Sequence, residues 1–206
     1  MLHPQRGIFN ADEFVVSAGC VLLKPLPRDK SITVPRLPDE YSLVFIRNRR
    51  GDSVIAKGRK DMDEAAPHTA VRETYEETGY KSTIIALPNP SLTPGAREAV
   101  MNKEAIAVTL KVDRMSRPDK KSAQKFVFWY VSEVDTDESG EAVQRVQGTQ
   151  LDHEDYEVLD APLDECGLTW EEDRKLVELT KSLLLMRYKV VTGLDPPDTK
   201  SHGSGR

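Results

Sequence analysis

Three glutamates, Glu73, Glu76 and Glu77, stand at i, i+3 and i+4 within residues 58–80, GRKDMDEAAPHTAVRETYEETGY. If that stretch is helical, the three share one face and repel one another. A hard divalent cation would remove the repulsion. Magnesium takes oxygen ligands of this kind and usually shares them with the phosphates of a substrate. The plain alternative is a solvated acidic helix face. Arg72 lies beside Glu73, Glu64 lies eight residues before Arg72, and Lys57, Arg59 and Lys60 surround Gly58. Anions, cations and a glycine thus crowd one short segment. That mixture suits chemistry on a phosphate, because arginine forks match phosphate oxygens.

A helix has to carry the acids. Pro67 suits a first helical turn and Gly79 a left-handed stop just past the end. Val71, Thr74, Tyr75 and Thr78 recur at i, i+3, i+4 and i+7, which gives the helix an inward stripe. The three glutamates then fall on roughly the opposite face.

The spacing of Gly58, Glu64, Arg72-Glu73, Glu76-Glu77 and Gly79 resembles the Nudix box, G-x5-E-x7-R-E-U-x-E-E-x-G-U, where U is a bulky aliphatic residue. Every charged position and both glycines are present. The two U positions hold Thr74 and Tyr80, a departure at packing positions rather than at chemistry. The resemblance implies a Nudix sandwich, a mixed α+β fold with a sheet between helices and the box as loop plus helix. It also implies hydrolysis of a diphosphate linked to another moiety, with Mg²⁺ or Mn²⁺ as cofactor. Glu73 and Glu77, one turn apart, are the first choice of metal ligands. Glu76 is a further ligand or the base that takes a proton from the attacking water. Glu64 is a catalytic candidate that reaches in from the loop, and Arg72 fixes one carboxylate. The substrate-binding candidates are Lys57, Gly58, Arg59, Lys60 and Arg47. Glu98, Glu104, Asp152 and Glu154 are candidates for an added carboxylate from a loop, and His153 for a base. For each of these five a solvated role is the simpler expectation.

Composition narrows the partners. The net charge of −5 argues against a chain built to coat nucleic acid, while leaving room for a local basic pocket. Cys20 and Cys166 sit among apolar neighbours, so buried thiols are expected rather than a disulfide, and no CxxC suggests zinc. The first residues, MLHPQRGIFNADEF, hold no apolar leader, and no run approaches eighteen apolar residues. The expectation is a cytoplasmic or nuclear protein without a membrane span. The sequence does not fix its oligomeric state.

Along the chain, residues 1–12 read as a loose arm and 13–23 as a strand with a small-residue step at Ser17-Ala18-Gly19. Residues 24–40 are proline-rich loop, and 41–46 and 53–56 are strands. After the box, 83–87, 105–112, 125–134 and 156–159 read as strands. Thr169, with Glu172 three residues on, reads as a capping box opening a late helix. Its stripe is Leu176, Val177, Leu179, Thr180, Leu183 and Leu184, and it reaches about Tyr188. Residues 1–192 are expected to form one domain and 193–206 a disordered polar tail.

The box names a bond and leaves the compound open. The basic residues Arg47, Arg49, Arg50, Lys57, Arg59 and Lys60 favour a small polyphosphorylated substrate, a diphosphoinositol polyphosphate or a dinucleoside polyphosphate. Against the second, no tyrosine stands about seventeen residues after the box, where Ala96-Arg97-Glu98 is found. Pro94 is a weak pointer to ADP-ribose or nucleoside-diphosphate sugars, and mRNA caps come third. A Nudix domain that binds without cleaving is the alternative of another class; such domains usually lose box residues, and this chain has lost none of the charged ones.

Overall fold

The computed structural model describes residues 9–91, 100–113, 123–152 and 154–197. Expectations that fall on Pro94, Arg97, Glu98, His153 and residues 198–206 lie outside that range. The element order is β1 (Phe14–Pro25), a short 3-10 turn (Pro38–Glu40), β2 (Tyr41–Arg47), β3 (Ser53–Val54), β4 (Lys57–Arg59), α1 (Ala66–Thr78), β5 (Ser82–Ile84), β6 (Ala107–Asp113), β7 (Ala123–Val134), β8 (Glu157–Pro162) and α2 (Glu171–Thr192).

The strands join one mixed sheet around a parallel pair, β1 and β7, in register from Phe14↔Gln124 to Leu23↔Glu133. The other pairings are antiparallel: β1 with β2 and β4, β2 with β3 and β8, and β7 with β5 and β6. Alternation along the central strands builds two layers. Val21 and Leu23 of β1 and Val127, Trp129 and Val131 of β7 enter one core with Leu176, Val177, Leu183 and Leu184 of α2. Ala18 and Cys20 of β1 and Tyr130 of β7 point the other way, onto Ala70 of α1. The sheet therefore lies between the two helices, as the sandwich expectation has it. Trp129, at the centre of the α2 core, donates its indole N–H to Thr109 Oγ1 at 3.0 Å.

Several local readings need correction. Thr169 does not cap α2. The helix starts at Glu171 after Trp170, with no side-chain cap, and Thr169 Oγ1 instead accepts the Ser53 N–H at 2.8 Å. The residue read as a cap thus ties β3 to the foot of α2. That helix also runs four residues past Tyr188, to Thr192, where Gly193 (φ 71°) ends it. The arm is anchored where it is described: Phe9 packs edge-on against Phe126 at 6.3 Å. On α1 the buried residues are Thr69, Ala70, Thr74, Glu77 and Thr78. Val71 and Tyr75 line an open groove of about 600 Å³ instead. The inward face is rotated from the expected stripe, and the rotation carries Glu77 into the interior.

Candidate active site

The path to the acids begins with β4, at residues that the sequence reading left outside any strand, after the strand read at 53–56. Its three residues pair with the small-residue step of β1, as Ser17↔Arg59, Ala18↔Gly58 and Gly19↔Lys57. Gly19 is small because the chain passes close by: a Cβ there would meet Ala56 O at 2.3 Å and Lys57 Cβ at 2.7 Å. β4 in turn lies across the acidic side of α1. A Cβ on Gly58 would fall 1.7 Å from Glu73 Oε2. The box glycine is therefore the room in which the Glu73 carboxylate sits.

Arg72 organises the acids. Its Nε and Nη2 donate to the two oxygens of Glu64, each at 2.9 Å. Its Nη1 donates to Glu73 Oε1 at 2.8 Å and to Glu76 Oε2 at 2.9 Å. Nη2 also reaches Arg59 O at 3.0 Å, which fastens β4 to the helix. One guanidinium thus gathers three carboxylates and a strand, far more than an exposed i,i+4 pair would do. Glu64 is held further by Thr69 Oγ1, which donates at 2.7 Å, and by the Asp61 N–H at 3.1 Å. These donors, Arg72 first, hold the Glu64 carboxyl down to about 2.

Glu77 lies deeper. It is 5% exposed, and its Oε2 accepts the Lys57 N–H at 2.9 Å. Burial pushes its pKa up to about 8, against the pull of the Lys57 charge and of that N–H, with the Glu154 and Glu73 charges adding to the rise. Burial also raises Glu73, opposed by its hydrogen bond and ion pair with Arg72 and reinforced by the charges of Glu76 and Glu154.

Glu154 comes from the loop before β8, the region where the sequence offered several loop carboxylates. Its charge acts on Glu73, Glu77 and Tyr156 alike, so the loop faces the acids of α1. Gln150 holds that loop in place. Its Nε2 donates to Glu77 O at 2.9 Å and to Tyr156 O at 3.0 Å, and its Oε1 accepts the Tyr156 N–H at 2.9 Å. Thr149 Oγ1 donates to Glu76 O at 2.9 Å. Two loop side chains thereby satisfy carbonyls at the end of α1 that have no partner within the helix. Gly79 closes the helix at φ 75°, where Val146 O would stand 2.1 Å from a Cβ. Sequence reasoning missed Gln150, Thr149 and Tyr156. A polar residue that caps a helix 73 positions away leaves no periodic signal.

The basic candidates separate. The Lys57 charge acts on Glu77 and on Asp173, a buried carboxylate of α2 whose Oδ2 accepts the Ile55 N–H at 3.3 Å. Arg59 shares β4 with it. Lys60 turns its Nζ to Asp61 O at 2.9 Å. Arg47 pairs across the β2–β8 ladder with Glu157 at 2.9 Å, and Arg49 with Asp155 at 3.7 Å. The structure thus brings Glu64, Arg72, Glu73 and Glu76 into one hydrogen-bonded group and ties Lys57, Gly58 and Arg59 against it. It engages Arg47 elsewhere. At the two unusual box positions, Thr74 is fully buried and Tyr80 packs against the cluster of Leu22, Val44 and Val134.

Among the described residues, no three His, Cys, Asp or Glu side chains are already grouped to hold a metal ion. The donor chemistry nevertheless suits a hard cation. The hydrogen bonds above engage Oε1 of Glu73 and Oε2 of Glu76 and Glu77, and the other oxygens of these crowded carboxylates are of the type magnesium takes. No helix among the described residues is long and apolar enough to cross a membrane. Both cysteines are free thiols, Cys20 buried and Cys166 half-buried.

No family model matches the chain, and no curated protein matches it. Among solved structures it is similar to a C. elegans Ap4A hydrolase in a binary complex, at 16% identity and a TM-score of 0.45 over 87% of this chain and 99% of that one. It is also similar to a NUDIX hydrolase from Nitrosomonas europaea, at 12% identity and a TM-score of 0.49 over 82% and 89% of the two chains. A third is the E. coli dihydroneopterin triphosphate pyrophosphohydrolase, at 16% identity and a TM-score of 0.45 over 80% and 94%. At such identities and scores these likenesses carry nothing about chemistry, which rests on the site itself.

Proposed function

We propose that this chain is a Nudix-type pyrophosphohydrolase that cleaves a phosphoanhydride bond with Mg²⁺ or Mn²⁺. The observation that carries the reading is the Arg72 group: one guanidinium holds Glu64, Glu73 and Glu76 beneath the strand that bears Gly58. A solvated acidic face needs neither that convergence nor a glycine cut to fit a carboxylate. Glu73, Glu76 and Glu77 are the residues that would hold the ion, which neutralises phosphate charge and lowers the pKa of a bound water.

The chain's own groups do the rest. Arg72 fixes the rotamers of Glu73 and Glu76, so their acceptor oxygens are set before substrate arrives. Glu64, kept ionised by Arg72, anchors the guanidinium from the loop side. Glu76, the least enclosed of the three helix acids, is the candidate to take a proton from the attacking water. Lys57 and Arg59, on either side of Gly58, are the candidates to contact phosphate oxygens beyond the scissile bond. A substrate with several phosphates, a diphosphoinositol or dinucleoside polyphosphate, would use both. The ion pairs of Arg47 and Arg49 trim the wider basic cluster, so the preference for many phosphates rests on Lys57, Arg59, Lys60 and Arg50.

Chromatographic separation of the products formed from a panel of polyphosphates, nucleoside diphosphate sugars and ADP-ribose, with and without Mg²⁺ or Mn²⁺, tests the proposal. Metal-dependent cleavage of at least one class into its two phosphorylated fragments, or into free phosphate where the cleaved group is terminal, is expected. Binding without cleavage across the whole panel would make the chain a ligand-binding module instead.

A further inference from the structure

At the far end of the central strands a second set of cations faces a cavity of about 350 Å³. Arg28 and Arg36 reach it from the loop after β1, and Arg187 from the last turns of α2. Glu133 of β7 and Tyr41 of β2 also line it. Tyr41 pairs with Pro25, whereas the candidate active site pairs with residues 17–19 of β1. Residues 19 and 25 of one strand lie about 20 Å apart, so this cavity is not part of that site.

The charges here are not balanced. Arg28 is paired with Glu40 at 3.2 Å and donates to Val34 O at 2.9 Å. Arg36 donates to Leu26 O at 2.6 Å and stacks over the Tyr41 ring at 6.0 Å. Glu133, the one carboxylate of the wall, accepts the Tyr41 hydroxyl at 2.6 Å. Among the described residues no ion pair joins it to Arg36 or Arg187. The Arg187 Nε is buried with no hydrogen-bond partner. Both guanidinium groups line the cavity beside Tyr41, and both charges act on its hydroxyl. The residues themselves are half-buried, but a buried donor such as the Arg187 Nε normally has a hydrogen-bond partner.

We propose that the cavity framed by Arg28, Arg36 and Arg187 binds a small phosphorylated anion. Arg36 and Arg187 offer planar donor groups that match phosphate oxygens, and Arg28, held by Glu40 and Val34 O, adds its charge. The volume is at the low end of ligand pockets, so it suits inorganic phosphate, diphosphate or a small phosphomonoester rather than a dinucleotide. Bound there, the anion ties the loop of residues 26–37 to the end of α2. The proposal is independent of the hydrolase reading.

The test uses the whole chain, EDTA-treated, with inorganic phosphate as probe, followed by titration calorimetry and melting temperature at constant ionic strength in chloride. Saturable binding is expected in the wild type, and a saturable site should remain in Lys57→Ala/Arg59→Ala, which alters only the other site. Arg36→Gln/Arg187→Gln should lose about ten- to a hundredfold in affinity, as for lost charge-assisted bonds. Arg187→Met alone should melt at or above the wild type without phosphate, because it removes an unpaired charge, and phosphate should reverse that order. Glu133→Gln should bind phosphate more tightly, a gain that a purely structural role would not give. Wild-type affinity in the double arginine variant, or binding that vanishes in Lys57→Ala/Arg59→Ala, would overturn the site.

Discussion

The Glu73 carboxylate occupies the space that a side chain at position 58 would need, since a Cβ on Gly58 would meet Glu73 Oε2 at 1.7 Å and Oε1 at 2.5 Å. Gly58 is on a strand and Glu73 on the helix behind it, fifteen positions later in the chain. The contact makes the strand and the acid one unit, with Arg72 bonded to Glu73 on one side and to the β4 carbonyl of Arg59 on the other. A glycine here serves packing against a functional group, and no unusual backbone angle is involved.

Gly58→Ala should therefore spare the fold and damage the site. The clash is with the end of a flexible side chain, which can swing away from its Arg72 partner at little cost to stability. We expect a melting temperature within a few degrees of wild type and turnover lower by about a hundredfold, as when one aligned electrostatic group is lost. Gly19→Ala should do the reverse. Its clash is with the Ala56 backbone and with Trp129, so the melting temperature should fall sharply before kinetics can be compared. Measuring both quantities in both variants separates the roles. Equal loss of stability in the two would leave Gly58 with no special link to Glu73.

Glu77 gives the protein a pH-dependent weakness. Its folded pKa, about 8, lies above its ordinary value of 4.5. The folded state thus holds this proton more tightly than the unfolded state does. The stability it contributes is fully present below about 4.5 and is lost as pH rises through 8. Metal-free protein should melt several degrees lower above pH 8 than near pH 5, at about 2–4 °C per kcal/mol for a chain of this size. Glu77→Gln should melt higher than wild type above pH 8 and lack that decline, while losing most of its turnover. Millimolar Mg²⁺ should restore the wild type at high pH. Glu64 works in the opposite sense: its carboxyl, held at about 2, contributes stability that is lost as pH falls from 4.5 through 2. A wild-type melting curve flat between pH 5 and 9 would contradict the buried acid.

Gln150→Leu should loosen the Glu154 loop from the end of α1. Three hydrogen bonds disappear, to Glu77 O, Tyr156 O and from Tyr156 N. At about 1 kcal/mol each they amount to roughly 3 kcal/mol of stability. The specific readout is hydrogen exchange at the Tyr156 amide, which should quicken well beyond the global loss. Exchange that merely follows the global change would show that Gln150 has no local hold on the loop.

What the sequence made legible follows from range. The box helix, its glycine stop, the central strands and the α2 stripe are periodic over several residues, and all of them are there. The acids of the box were legible because their spacing is fixed along one helix. The burial of Glu77 was not, because the face that α1 turns to the sheet depends on Ala70 and Thr74 packing against Ala18 and Cys20, a contact between distant segments. Thr169 was misread for a related reason. A threonine before an acidic turn caps helices in general, but here its hydroxyl meets the Ser53 N–H, 116 positions away. Gln150 and the Arg36–Arg187 cavity likewise exist only after folding. Arg47 was grouped with Lys57 by closeness in sequence, whereas the register of β2 and β8 sets it opposite Glu157.

Lys57 and Arg59 provide the test of whether phosphate number matters. They flank Gly58 on β4, and the strand is fastened to the helix acids through the Lys57 N–H on Glu77 and the Arg59 carbonyl on Arg72. Lys57 also acts on Glu77 through its charge as well as its N–H. Replacing both with alanine removes side-chain charge while the Lys57 N–H and the Arg59 carbonyl keep their bonds, so the helix acids stay in place. KM should rise most for substrates with several phosphates and least for ADP-ribose. Each lost charge-assisted contact costs on the order of 1.5–3 kcal/mol, roughly ten- to a hundredfold in affinity. Wild-type binding of the longer substrates should weaken steeply with salt, because exposed charge contacts are screened, and the double variant should be less salt-sensitive. An equal rise in KM for ADP-ribose and for long polyphosphates would mean that the two cations hold only the phosphates next to the cleaved bond, and the case for a polyphosphorylated substrate would end there.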